Sequence, residues 1–346
     1  MNLKKKILIR DKVIEEKERP YIIAEMACAH EGQVERAKKL IDVAVQSGAD
    51  AIQFEIFDPD DNIVPQLKMY SILKKLYFFP DQWKDLFNYA RQFDIAISTF
   101  AYDYKSLELA LRQGSDLIKL NSSDLSNPDM IIKIAQSRLP YTLGTGASTM
   151  EEICKSIELS LKHGGDKLIL MHGVQNFPTD INNLHINRLN ILRTTFDCLV
   201  GYADHTEAGT DLSPIIDLIA LGMGACVIEK HITLDRSEKG IDHESALEPE
   251  EFMKFIKRLN NAYKALGPKT LKSFNESDLN YRLFQKKTVV ATRNLKTGDT
   301  LRKEMIKILR NSKEHGISPM DVKYIIGKTI SKDIKKYEPI KQSDVT

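Results

Sequence analysis

The chain lacks any cysteine pair at the spacing of a metal or redox site. Its four cysteines, Cys28, Cys154, Cys198 and Cys226, stand far apart and form no Cys-x-x-Cys unit. Cys28, Cys198 and Cys226 lie in or beside apolar runs, so they read as buried thiols of a reducing compartment and not as a disulfide framework. The opening residues 1–12 lack the apolar stretch of a signal peptide. No apolar run approaches the ~18 residues that a membrane span requires. A cytoplasmic protein with no membrane partner is the expectation. Excess charge of one sign is missing too. Fifty basic and 48 acidic side chains leave a net charge of +2, which offers no general electrostatic grip on nucleic acid. The lysines near the two ends, Lys4 to Lys6 and Lys332 to Lys336, read as solvated faces.

What is present is a core and a rhythm. Apolar residues make up 42% of the 346, enough for a barrel of roughly 250 residues and a smaller module. After a charged lead with a hairpin through Ile7–Ile9 and Val13–Ile14, eight short apolar runs bounded by turn signals read as buried parallel strands. They are residues 21–27, 51–57, 95–100, 117–122, 141–145, 167–173, 199–204 and 226–232. Helical periodicity marks residues 34–47, 82–93, 105–113, 128–137, 149–163, 212–221 and 250–266. Gly48, Gly114, Gly164 and Gly222 follow four of these segments, where a left-handed cap needs no Cβ. Eight strand–helix repeats with short connections predict an α/β fold, a closed (β/α)8 TIM barrel, over residues 1–267. No Gly-x-Gly-x-x-Gly follows the first strand, which counts against a doubly wound open sheet. The rhythm stops at Gly267. Residues 268–282 read as a polar linker. Residues 283–346 read as a small β-rich domain with turns such as Lys296-Thr297-Gly298-Asp299.

Barrel enzymes carry their reacting groups at the C-terminal ends of the strands. Those ends are rich in polar groups here. They include Glu25, Gln53 and Glu55, Ser98 and Thr99, Lys119 with Asn121 and Ser122, Gly144 with Thr145, His172 with Gln175, Asp204 with His205, and Glu229 with His231. His205 and His231 come from adjacent strands, and neutral imidazoles on neighbouring strand ends suit a first-row divalent ion or a structural role. Glu25 is a third ligand, an acid/base, or an ion-pair partner. Lys119 sits inside an apolar strand and must meet an anion. That anion is a substrate phosphate or carboxylate, or an internal Glu25, Glu55 or Glu229; a Schiff-base amine is a further alternative. Asp242 lies on a polar loop after the eighth strand, a place for substrate binding or for a turn. Arg310 opens a loop of the small domain, either as an anion clamp or as an exposed surface residue.

The ordered segments IIAEMACAHEGQVERAKKLIDVAVQSGADAIQFEIF, ISTF, IKLNSSDLSNPDMI, LGTGAST, MHGVQNFPT, GYADH, VIEKHITLD and GIDHESALEPEEF resemble the sialic acid synthase (N-acylneuraminate synthase) family. The C-terminal stretch resembles the antifreeze-protein-like domain that closes those enzymes. The resemblance implies condensation of phosphoenolpyruvate with the open-chain aldehyde of an N-acylated sugar such as N-acetylmannosamine. The product would be a nine-carbon 2-keto acid, with phosphate leaving by C–O cleavage. It implies a manganese or magnesium ion held by His205 and His231, acting as a Lewis acid. Glu25 would serve acid/base work or sugar binding, and Asp242 would lie near the metal. Lys119, Ser122 and Thr99 would contact phosphoenolpyruvate, with Gln53, Thr145 and Gln175 also lining the substrate site. Arg310 would reach into a partner's barrel in a domain-swapped homodimer. Several positions depart from the family pattern. Gln53 and Glu55 stand where the family carries Lys and Gln, and Gly144 and Ala203 where it carries serines. Gln175 replaces an asparagine, Phe177 a tyrosine, and Asn311 a proline. Several of these changes remove donors from the phosphate wall. They leave open a metal-dependent paralogue with a less anionic donor, and a non-catalytic sugar-binding paralogue.

Overall fold

A computed structural model describes residues 2–16, 18–267, 274–311 and 316–346. The chain divides into two compact units, Met1–Gly267 and Pro268–Thr346. In the first, an antiparallel hairpin of β1 (Lys6–Ile9) and β2 (Lys12–Glu15) precedes eight parallel strands. These are β3 (Tyr21–Glu25), β4 (Ala51–Ile56), β5 (Ala96–Ala101), β6 (Leu117–Leu120), β7 (Tyr141–Gly144), β8 (Leu168–His172), β9 (Leu199–Asp204) and β10 (Val227–His231). They close in the order β10-β3-β4-β5-β6-β7-β8-β9, so the expected TIM barrel is the observed one.

The outer layer is made by α1 (Val34–Ser47), α2 (Pro59–Asn62), α3 (Lys68–Leu76), α4 (Pro80–Ala90), α5 (Tyr104–Gln113), α6 (Pro128–Ser137), α7 (Met150–Lys162), α8 (Arg188–Phe196), α9 (Ser213–Gly222) and α10 (Pro249–Leu266). Helices α2, α3 and α8 lie where no helix was expected. Gly48, Gly114 and Gly164 take the left-handed conformation. Gly222 does not: it is the last residue of α9, and the left-handed turn falls at Gly224 (φ 95°).

Side chains of a strand alternate between two faces, and both faces are buried here. Outward residues such as Ile22, Ile52, Ile97, Ile118 and Leu170 join the helices in the main core. Inward residues near the strand starts, Tyr21, Ala51, Leu117, Ile169 and Val227, form a second core with Ile7, Ile9 and Ile14 of the hairpin. The hairpin therefore plugs the N-terminal mouth. Buried Asp50 ties down the chain that follows it. Lys12 Nζ and Arg19 Nη1 each reach Asp50 Oδ1 at 2.8 Å, and the Ile22 amide donates to Oδ2 at 2.7 Å.

In the second unit, residues 268–273 of the expected linker lie outside the described residues. The rest is not linker throughout: α11 (Glu276–Gln285) begins there, its first turn capped by Asn275 Oδ1, which accepts from the Asp278 amide at 2.8 Å. Strands β11 (Lys287–Ala291) and β12 (Ile306–Arg310) pair antiparallel. Further strand character comes from single bridges, such as Leu295 with Ile334 and Ile330 with Val345. Val289, Leu301, Ile325 and Ile340 sit in the core of this unit. The four cysteines are unpaired, and no helix among the described residues is long and apolar enough to cross a membrane.

Truncating the plug tests its weight. Ile14→Ala removes a side chain that is 1% exposed and is expected to cost about 2–4 kcal/mol, read as a lower urea midpoint for the barrel.

Candidate active site

The inward parity that carries apolar residues at the strand starts carries polar ones at the C-terminal ends. Glu25, Gln53, Ser98, Lys119 and Glu229 meet inside the barrel. Lys119 Nζ on β6 lies 2.6 Å from Glu229 Oε1 on β10 and 3.4 Å from Glu25 Oε2 on β3. The Gln53 side-chain amide donates to Glu25 Oε2 and, at 3.1 Å, to Glu229 Oε2. Its carbonyl accepts from Ser98 Oγ at 2.7 Å. The Ala27 amide donates to the other Glu25 oxygen at 3.0 Å. Lys119 also lies over the Phe100 ring, 4.9 Å from its centroid. Five strands are thus stitched by one closed network.

One ammonium serves two buried carboxyl groups, so they cannot share its charge equally. Glu229 is the nearer partner. Burial pushes Glu25 up to about 8 against the pull of Lys119, with Glu229 and Glu55 adding to the rise. Burial alone would lower the Lys119 value, but Glu229 and Glu25 outweigh it and hold the ammonium charged. The arrangement near neutrality is a charged Lys119, bonded most closely to Glu229, and a protonated Glu25.

Nearer the mouth, Glu55 accepts from Tyr102 OH at 2.6 Å and from Cys28 Sγ at 3.7 Å. Burial raises its value, which the Tyr102 hydrogen bond opposes. Asp242 holds a left-handed conformation (φ 61°), tolerable for aspartate. Its neighbour Ile241 packs on the cluster of Cys28, Phe57 and Leu76. Burial, then Glu55, push Asp242 up to about 7.

His205, directly after β9, and His231, at the end of β10, stand edge to face with ring centroids 5.2 Å apart. Phe177 packs against both, at 4.3 and 5.5 Å. His205 Nδ1 donates to Val174 O at 2.6 Å, which leaves the lone pair on Nε2. His231 Nδ1 is buried without a partner. Burial pushes both imidazoles down, His231 well below its ordinary value, with His205 and then Lys119 adding to the latter. Neutral rings with one nitrogen oriented by a carbonyl and another left over fit a divalent cation. Among the described residues no group of three His, Cys, Asp or Glu could hold one. A cation here would take two imidazoles and leave its other positions to water and substrate.

The remaining expected residues divide. Ser122 is half-buried at the mouth, its amide donating to Asn121 Oδ1 at 2.7 Å. A Cβ on Gly144 would come within 3.0 Å of that amide nitrogen, so the Asn121–Ser122 turn occupies the room a serine would need. Gln175 is exposed beside Gly146. The Thr145 hydroxyl is spent on Met171 O at 2.9 Å. Thr99 points the other way: its hydroxyl bonds Ser115 Oγ at 2.6 Å on the helix side, and Ser98 and Phe100 are the inward residues of β5. Arg310 is the exposed last residue of β12 and lies within a strand, not on a loop. Glu229, one of three carboxylates expected as a partner of Lys119, is its nearest one, and Ser98 of the strand ends joins the network; Tyr102, bonded to Glu55, was not among the expected residues.

A closed barrel with a plugged base, an internal charge network and two strand-end imidazoles defines a barrel enzyme working at its C-terminal mouth. The NeuB family model matches residues 40–270, and the chain belongs to that family. An SAF domain matches residues 286–346. The chain is 28% identical to the N,N'-diacetyllegionaminic acid synthase of Legionella pneumophila, covering 91% of each chain. It is 29% identical to the N-acetylneuraminate-9-phosphate synthase of Drosophila melanogaster, over 92% of this chain and 94% of that one. The crystal structure of the N-acetylneuraminic acid synthetase from Leptospira borgpetersenii, in complex with citrate, superposes with a TM-score of 0.74. That match is 25% identical, over 80% of this chain and 96% of that one. The protein is a synthase of this family.

The charge assignment has a pH signature. A carboxyl raised by folding favours the native state at low pH, and that advantage is lost as pH rises. Glu25→Gln should therefore gain stability relative to the native chain from pH ~4.3, where an unfolded Glu ionises, up to about 8. The gain should level off above that. Urea unfolding of both proteins across this range reads it directly; a difference that is flat with pH would show Glu25 ionised throughout.

Proposed function

We propose that the chain is a nonulosonic acid synthase. It condenses phosphoenolpyruvate with the open-chain aldehyde of an N-acylated hexosamine to give a nine-carbon 2-keto acid and phosphate. The observation that carries this reading is the pairing of His205 and His231 with the Lys119–Glu229–Glu25 network in one barrel mouth. His205 and His231 would hold manganese or magnesium, which when bound polarises an aldehyde oxygen as a Lewis acid. Glu25, protonated near neutrality, is suited to give its proton to the oxygen that becomes a hydroxyl. Lys119 and Ser122 are suited to orient the anionic donor, holding its C3 against the aldehyde carbon. A water oxygen added at C2 lets the C2–O bond to phosphate break. Asp242 and Glu55 face the same opening and suit the sugar hydroxyls, with Gln175 at the rim. Thr99 would contribute only from behind β5, and Thr145 only through its backbone. The enzyme would act in the cytoplasm, as a homodimer in which each Arg310 serves the partner's barrel.

A second reading has its own support. Gln53 brings no charge, and Lys119 is already committed to Glu229 and Glu25. A donor less anionic than phosphoenolpyruvate fits that balance.

Phosphate release from phosphoenolpyruvate, with manganese and a panel of N-acyl hexosamines, separates the two. The synthase reading predicts release by the native chain with at least one acceptor. It also predicts a kcat/KM roughly 10²-fold lower in Lys119→Met, as loss of a charged contact of about 2–3 kcal/mol implies. Release from Gln53→Lys alone would favour the second reading. Silence from both proteins would contradict the condensation.

A further inference from the structure

Behind the two imidazoles, on the outward face of the same strand ends, lies an ion cluster that the proposed chemistry does not use. Asp204 turns outward one residue before His205, and Lys230 turns outward one residue before His231. Both side chains are fully buried. The two residues are direct partners across the β9–β10 pairing. Lys230 Nζ donates to the Asp204 carboxylate, to Ser213 Oγ at 2.9 Å and to Asp217 Oδ2 at 3.0 Å. Asp204 is held by its neighbours in sequence as well, accepting from Tyr202 OH at 2.9 Å and from Thr206 Oγ1 at 2.7 Å. Ser213 and Asp217 belong to α9.

A buried ion pair is a poor choice for stability alone, since apolar residues of similar volume often do as well or better. What it supplies is a fixed geometry, because charge-assisted hydrogen bonds tolerate little displacement. The rung it fixes is the one beside the histidines. We infer that the Lys230–Asp204 bridge is a positioning device: it sets the relative height and rotation of the β9 and β10 ends, and so the bite of His205 and His231 on a divalent cation. This rests on the reading that those two residues hold the metal.

The cluster contains its own control. Two aspartates share the one ammonium, yet only Asp204 sits on a histidine-bearing strand, while Asp217 sits on a helix. Asparagine removes the carboxyl group from either with little change of shape, although burial pushes Asp217 up to about 7 and so leaves it less charge to lose. Manganese affinity is measured on the full chain by the electron paramagnetic resonance of the free ion, for the native protein, Asp204→Asn, Asp217→Asn and His231→Ala. Melting midpoints are recorded alongside. Asp204→Asn should weaken manganese binding at least about tenfold and alter the bound-ion line shape, and Asp217→Asn should weaken it less than about threefold. Both should lower the melting midpoint. Unchanged affinity in Asp204→Asn overturns the inference, and so does an equal loss in both variants, which would assign the effect to stability. No manganese binding by the native chain, or unchanged binding in His231→Ala, overturns the metal reading and this inference with it. If Asp204→Asn does not fold, Tyr202→Phe removes one hydrogen bond from Asp204 and keeps its charge. It should weaken binding about threefold, and no change there overturns the inference equally.

Discussion

The barrel interior is organised around one buried ammonium. Lys119 needs anions close by, because an isolated charge in that environment would be prohibitively costly. Glu229 and Glu25 supply them from the far side of the barrel. Two carboxyl groups against one cation then leave a proton on the more distant acid, and Gln53 closes the network as a neutral donor to both. The same positive charge helps keep His231 neutral, so a proton-bearing acid, a fixed cation and two neutral imidazoles can coexist near pH 7. Removing Lys119 would push Glu25 further up and take away one of the charges that oppose protonation of His231, while burial still holds both imidazoles down.

That arrangement depends on a single strand parity serving two purposes. In β10, Val227 belongs to the apolar plug core, while Glu229 and His231 face the same way further along. In β4, Ala51 gives way to Gln53 and Glu55 in the same manner. The hairpin seals the apolar end, and the polar end is left as the opening. Outward neighbours of the same residues pack on helices, except where Asp204 and Lys230 place a second ion pair behind the histidines.

Much of this was legible in the sequence. The eight strands announce themselves as short apolar runs between turn residues, and seven helices by their periodicity and caps. Helix α3 did carry a stripe, Met69, Ile72, Leu73 and Leu76 at helical spacing, although only Leu76 is fully buried. Helix α8 escaped because its apolar residues form no clean stripe: Leu189, Leu192 and Phe196 are buried but Ile191 is exposed. Helix α11 did carry a signal, the capping box of Asn275 and Asp278, inside a stretch that reads as polar linker. Thr99 and Ser98 could not be told apart, because both faces of a barrel strand are buried and a shift of one residue exchanges them. Lys119 clearly needed an anion, but which carboxylate crosses the barrel to meet it depends on closure and stagger, not on local pattern. The departures at Gln53 and Gly144 were visible as residues. What they mean, a closed network and a turn filling the space of a side chain, required the packing.

The central claim is that His205 and His231 hold a divalent cation beside an anion-binding Lys119. The most direct measurement is a crystal of the full chain soaked with manganese and phosphoenolpyruvate, with anomalous differences collected for the metal. The account predicts a manganese peak bonded to both imidazoles and density for the donor at Lys119. A peak elsewhere, or density for the donor away from Lys119, would contradict it.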